Sequence, residues 1–293
     1  MRRKSETPNP EIIVRHLAPS VGSKASRYWM GGSPFYTYLF CSFSIAILPA
    51  ESFIIRGARA YQDQVTDPTL KERLRLFLAQ EAAHSMRHKT FNQGLDRFDV
   101  PVWRTIARHC ARMLERDWER STPLERLALT AAYEHFTTVL GRGMLKEQFI
   151  HRLMDADVLP LFMWHSLEEV EHKDVAFSTF EAVGGTYWLR VRALLFATFR
   201  GMIVLFGYPV WFLRHDLKGI LNVRNLRALW YISRFLSRRI PDYLQFFRPT
   251  FHPAEHDDSA LFATWSQYVS DYTTKPRARN TEEVATADQS LAS

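Results

Sequence analysis

Residues 164–172 read Trp-His-Ser-Leu-Glu-Glu-Val-Glu-His, and this stretch restricts the fold more than any other. In an α-helix His165, Glu169 and His172 fall at i, i+4 and i+7, so their side chains leave one face together. Two neutral imidazoles and a carboxylate then converge on one point, a donor mix that suits transition metals such as iron. The flanking residues are apolar, so this face has to meet other helices that carry matching donors.

The chain supplies those donors in order. Glu51 interrupts the apolar run that ends in Ala50-Glu51-Ser52-Phe53. Glu81 and His84 are i, i+3 neighbours in Leu78-Ala79-Gln80-Glu81-Ala82-Ala83-His84, and Glu134 stands among Ala131, Ala132 and Tyr133. Taken singly, each is an ordinary helix residue. A lone glutamate followed by Glu-xx-His on the next helix, occurring twice, is the ligand pattern of ferritin-like di-metal bundles. Glu51 and Glu81, like Glu134 and His165, are one helix hairpin apart. Four glutamates balance the four positive charges of two divalent irons, and without a cation their burial would be very costly. The expected ligands are Glu51, Glu81, His84, Glu134, His165, Glu169 and His172. His88, one turn beyond His84, is expected to support them from behind, with ligation as the alternative, and Glu168 either supports them or faces solvent. Glu171 points off the ligand face, and His135 faces away with a structural role.

Start and stop signals divide the chain into helices. Asp67-Pro68 and Thr122-Pro123-Leu124-Glu125 pair an N-cap with proline at the first helical position, the second as a capping box. Pro49 marks either a new helix or a bend that orients Glu51. Helices are expected from Pro68 to about Gly94, from about 102 to 120, from Pro123 to about Gly141, and from Pro160 to Gly184-Gly185. Covering helices follow at about 187–213, 225–238 and 261–272. The expectation is an all-α, ferritin-like four-helix bundle with additional covering helices. Residues 1–20 form a flexible arm, 21–272 a single helical di-metal domain, and 273–293 a disordered polar tail.

Composition trims the alternatives. The two cysteines, Cys41 and Cys110, provide neither a disulfide framework nor a Cys-xx-Cys zinc site, and they fit a reducing cytoplasm. A net charge of +7 attracts anionic partners, but no nucleic-acid recognition motif accompanies it. Arg104, Arg108, Arg112, Arg116 and Arg120 recur every fourth residue as a solvated stripe. The N-terminus carries no secretory signal. Leu194 to Leu213 nearly has the length of a membrane span, but Arg200, Gly207 and Pro209 interrupt it. It reads as a helix buried on the bundle or lying on a bilayer surface. The location is thus cytoplasmic, with peripheral contact to the inner membrane and a homodimer both left open.

Several of these pieces carry a resemblance. Ser44-xxx-Leu48-Pro49-Ala50-Glu51, Gln80-Glu81-xx-His84, Trp164-His165-xx-Glu168-Glu169-xx-His172-Lys173 and the loop Pro249-Thr250-Phe251-His252-Pro253 resemble the bacterial family of predicted metal-dependent hydrolases, over most of residues 35–255. The histidine one turn before the second Glu-xx-His also resembles di-iron enzymes of the p-aminobenzoate N-oxygenase type. That resemblance implies that His165 ligates one iron. The function expected from the donor set is a non-haem di-iron oxygenase or oxidase. It would take O₂, a small apolar or aromatic substrate, and electrons from an external donor, with two iron ions (or manganese) as cofactor. A hydrolase using metal-activated water is the alternative. A non-catalytic iron-handling or membrane-associated protein is the third reading.

Overall fold

Three of the long helices begin where a polar side chain caps the first turn and proline follows. Ser33 accepts from the Tyr36 amide, Asp67 from Thr69 and Thr122 from Glu125, the last as a complete capping box. A computed structural model describes residues 10–274. Its helices are α1 (Pro34–Arg59), α2 (Pro68–Gln93), α3 (Trp103–Arg120), α4 (Pro123–Lys146), the short α5 (Gln148–Leu153), α6 (Leu159–Glu171) and α7 (Val175–Ala182). Then come α8 (Tyr187–Met202), a π-helical turn (Ile203–Gly207), α9 (Tyr208–Arg214), α10 (Leu217–Ile220), α11 (Arg224–Leu244) and α12 (Ser259–Tyr272). Among the described residues the protein is all-α apart from a two-residue ladder between His16–Leu17 and Thr273–Thr274 and an isolated bridge between Met30 and Met154.

α1 packs along α2, α4 along α6, and α1 also meets α4. α8 covers α4, and α11 lies over α4 and α1. α1 runs unbroken through Pro49, which removes one backbone donor two residues before Glu51. Gly57 lets α1 come close to α4: a Cβ there would sit 2.5 Å from Thr130 Oγ1. The exposed arginines at 104, 108, 112, 116 and 120 form the solvated stripe on α3.

Two apolar clusters make up the core. One gathers around Trp29, Phe40, Phe162 and Trp164, the other around Phe53, Phe77, Phe177 and Phe251. In α1, Glu51 falls between Ile45 of the first cluster and Phe53 of the second. In α2, Glu81 falls between Leu78 of the second and Ala83 of the first. The polar donors therefore occupy a seam between two dry regions.

Two expectations change. The helix expected from Pro160 to Gly184 breaks at His172, which ends α6 before α7 begins. Ion pairs hold the break, Arg73 to Asp174 at 2.7 Å and Lys173 to Asp258 at 2.7 Å, so the polar run Glu171-His172-Lys173-Asp174 finds partners far off in the sequence that periodicity does not register. The flexible arm expected over 1–20 is packed in its described part. Ile12, Arg15 and Leu17 are buried, because Arg15 finds two carboxylates and Leu17 an apolar cluster. Residues 1–9 and 275–293 lie outside the described residues. Of the tail expected over 273–293, Thr273 and Thr274 pair with the arm.

Candidate metal centre

All seven expected ligands are buried, and the structure brings them together from α1, α2, α4 and the α6 end. Glu51, His84 and His165 form one group whose donor atoms lie within 4.8 Å of one another; Glu81, Glu169 and His172 form a second. His84 Nδ1 is 3.4 Å from Glu81 Oε1, 3.7 Å from Glu51 Oε1 and 3.8 Å from Glu169 Oε1. His165 Nε2 is 3.2 Å from Glu169 Oε1. On the other side, His172 Nε2 is 3.2 Å from Glu134 Oε2, 3.4 Å from Glu81 Oε1 and 3.6 Å from Glu169 Oε2. Donors bound at about 2.0–2.2 Å to a shared ion lie about 3–4 Å apart, and these separations match. Glu81 and Glu169 lie between the two groups, within 3.8 Å of histidine nitrogens on both sides.

Hydrogen bonding tests whether such donors want a cation. Glu51 Oε1, both oxygens of Glu81 and of Glu134, His84 Nδ1, His165 Nδ1 and His172 Nε2 are buried without a hydrogen-bond partner. Buried polar atoms are rarely left so, and a cluster of acceptors facing one spot fits metal ions. The titration behaviour agrees. Burial, then the Glu81 charge, pushes the Glu51 carboxyl well above the usual carboxylate range. Burial, then Glu81 and Glu169, pushes Glu134 up to about 8. Burial also works against charge on His84 and His172. It is outweighed by Glu168 and Glu81 at His84, and by Glu169 and Glu134 at His172, so both rise well above the usual imidazole range. Without a cation, burial and crowding therefore favour the protonated forms of these four groups.

Each inward histidine has a polar group behind it, hydrogen-bonded in the case of His172. Gln80 Nε2 donates to Glu171 Oε2 and to the Ile13 carbonyl, so its Oε1 must accept from His172 Nδ1 at 2.9 Å. That leaves Nε2 of His172, the nitrogen that would bind an ion, facing the carboxylates. His84 Nε2 sits 3.2 Å from Glu168 Oε2, with Nδ1 turned inward. Trp164 Nε1 holds the other Glu168 oxygen at 2.9 Å. Arg15 joins the two supports: its guanidinium grips Glu171 with both terminal nitrogens, at 2.7 and 3.0 Å, and reaches Glu168 at 3.2 Å. Carboxylate and amide partners of this kind set tautomer and ring direction at metal sites. Ser85 donates to Glu51 Oε2 at 2.6 Å, and Thr137 makes a very short hydrogen bond to Glu169.

One space reaches the cluster, and a second comes as near as Ser85. An apolar cavity of about 80 Å³ is bounded by His165 and Ser166 of α6, Phe40 and Phe43 of α1, Leu205 of the π turn and Phe235 of α11. On the opposite side of α1 an open cleft of about 780 Å³, between α1, α2 and α3, reaches Ser85.

A family profile described as "Predicted metal-dependent hydrolase" matches residues 13–257. The chain belongs to this family. The match begins just before Arg15 and ends beyond the Pro249–Pro253 loop, so the hydrolase-family region includes every residue of the cluster and its supports. Comparison with curated proteins and with solved structures finds no match.

Within this hydrolase-family chain, most of the site follows the sequence pattern. Glu168 stands behind His84, its Oε2 3.2 Å from Nε2. His88 packs its ring 5.0 Å from His165 and is held by Ser44 Oγ at 2.9 Å through Nδ1, so it lies beside the ligand group. His135 faces away, bonded through Nε2 to the Tyr243 carbonyl, and burial drops its pKa to about 3. Arg15, Gln80, Ser85 and Thr137 were not anticipated in these roles. Gln80 and Ser85 flank the Glu-xx-His motif, and their neighbourhood was a usable signal. For Arg15 only the adjoining Ile12-Ile13-Val14 run hinted at burial.

Proposed function

We propose that this chain is an enzyme working through two metal ions. Glu51, His84 and His165 would hold one ion, Glu134 and His172 the other, with Glu81 and Glu169 between them. The convergence of unpartnered buried carboxylates and imidazoles carries this reading. Two ions held there would supply Lewis-acid activation of water for hydrolysis or, as iron, a redox centre for reducing O₂. The chain's own residues position the reactants. Gln80 and Glu168 hold the ring directions of His172 and His84, Thr137 and Ser85 fix Glu169 and Glu51, and the apolar wall at His165 excludes water from a hydrophobic substrate.

Membership in the hydrolase family supports hydrolysis, and that is the first reading. Oxidation of an apolar or aromatic substrate by O₂ is the second, favoured by one feature of the site. Four carboxylates with three imidazoles neutralise two divalent ions and suit iron or manganese, while the adjoining cavity offers almost no polar group to steady a hydrolytic oxyanion. This second chemistry needs an external electron donor.

Metal content, followed by Mössbauer spectra of the iron-loaded, reduced protein before and after O₂, separates the readings. About two irons per chain that oxidise on exposure to O₂, with organic product depending on O₂, would establish oxidation. Metal-dependent cleavage of a chromogenic apolar ester, indifferent to O₂, would establish hydrolysis. Absence of metal uptake, with Glu134→Ala no different from wild type, would refute the two-metal centre.

A further inference from the structure

The large apolar side chains that remain exposed are concentrated in one segment. Among the described residues, sixteen of the eighteen lie between Trp188 and Leu244; Met86 and Tyr272 are the others. They follow helical faces. Leu195, Phe199, Met202, Phe206 and Val210 recur at spacings of three and four along α8, the π turn and α9. Along α11, Leu226 and Trp230, and then Ile240 and Leu244, are spaced four apart. Between these helices, Leu217, Ile220 and Leu221 project from α10 and its end. A soluble monomer seldom leaves so many large apolar side chains exposed along consecutive helices.

Charge says what covers it. From 187 to 248 the chain has eleven arginines and lysines against two aspartates, so this segment carries more than the whole excess of +7. Arg214, Lys218, Arg227 and Arg234 are exposed among the apolar residues. Trp188 and Trp230, both exposed, have the amphipathic rings that settle at a membrane–water boundary. Apolar side chains beside arginines and tryptophans match an anionic bilayer surface. A second copy fits poorly, because a two-fold contact would press two strongly cationic faces together. Tyr187–Arg214 is long and apolar enough to cross a membrane, but its other side is committed to the protein. Arg200 pairs with Asp117 of α3, Gly201 packs on Phe136 of α4, and Thr198 bonds to Tyr243. Such a helix can lie on a bilayer but cannot be wrapped by one.

The geometry points to α8 through α11 as a seat on anionic lipid bilayers, with the apolar side chains entering the headgroup boundary and the arginines on lipid phosphates. The inner sides of the same elements, Leu205, Ile232, Phe235 and Leu236, line the cavity that reaches His165, so the face covers one approach to the metal ligands. The surface is argued from exposure and charge alone and does not depend on which reaction the centre performs.

Co-sedimentation of the full chain with phosphatidylglycerol–phosphatidylcholine vesicles tests it without any turnover. Binding is expected, with little to pure phosphatidylcholine, and it should weaken as salt rises. Each arginine near an anionic surface changes binding about fivefold, so Arg227→Gln with Arg234→Gln should lower partitioning about 30-fold. Phe199→Glu with Phe206→Glu should abolish it while far-UV circular dichroism and metal content stay at wild type. Three results would overturn the proposal. One is no binding to anionic vesicles. Another is binding that survives both double variants. The last is a dimer in sedimentation equilibrium that Phe199→Glu with Phe206→Glu dissolves while vesicle binding is unchanged.

Discussion

Arg15 gives the sharpest test of how the centre is held. It is 6% exposed and donates to Glu168, to both oxygens of Glu171 and to the Ile13 carbonyl. Arg15→Met keeps the apolar stem and removes the cation, leaving two buried carboxylates without it. Breaking a buried pair from one side costs about 3–5 kcal/mol. Burial holds the Glu171 carboxyl above its ordinary value, with Arg15 opposing that rise. Without Arg15 the carboxyl takes a proton more readily, which places the loss near the lower end, about 3 kcal/mol. For a chain of this size that lowers the melting temperature of the metal-free protein by roughly 6–12 °C.

The same substitution loosens the Gln80 and Glu168 supports behind His172 and His84, so metal affinity should fall about 10–100-fold. Competition against a chromophoric chelator measures the affinity, and thermal denaturation with and without metal measures the rest. Adding Glu171→Gln removes one stranded charge while keeping an acceptor for Gln80, so most of the lost melting temperature should return. A melting temperature that drops while metal affinity stays within threefold of wild type would refute the reasoning. Arg15 would then be a clamp on the N-terminal arm and nothing more.

Three further outcomes follow from other contacts. Glu81→Gln removes the charge that burial and crowding set against Glu51 and Glu134, so the metal-free protein should melt a few degrees higher while losing the gain that metal brings, measured by paired thermal scans. Gly57→Ala puts a methyl against Thr130 Oγ1, forcing α1 from α4 at a cost of about 1–3 kcal/mol in urea denaturation; Gly57→Ala with Thr130→Ala should recover most of it. At Asp258 burial alone would raise the carboxyl, but Arg142 at 2.8 Å and Lys173 at 2.7 Å hold it below its ordinary 3.8. A lowered folded value means stabilisation that is full above the unfolded value and lost as pH falls through the folded one. Asp258→Asn should therefore reduce stability at neutral pH and flatten the loss below about pH 4, read from denaturation midpoints across the acid range.

How much of this was legible in the sequence depends on which interactions are local. Glu81 and His84, or His165, Glu169 and His172, share a helix face by spacing alone. The caps at Asp67 and Thr122 fixed where α2 and α4 start. Those local rules carried the seven ligand candidates, because apolar surroundings forced each helix to turn its few polar groups the same way. The supports behind the ligands obey no such rule. Arg15 meets Glu171 across 156 positions and Gln80 meets His172 across 92. Nothing periodic precedes Arg15, so its burial is decided by the pairing of His16–Leu17 with Thr273–Thr274 and by carboxylates that need a cation. The break at His172 was hidden for the same reason, since Arg73 and Lys173 hold it from distant partners, Asp174 and Asp258. Buried charge is the common factor. Its cost can be met only by an opposite charge brought from elsewhere in the chain. Where a helix buries an acid that its own face cannot satisfy, as Glu171 does on α6, the missing cation is best sought among arginines outside the helical pattern.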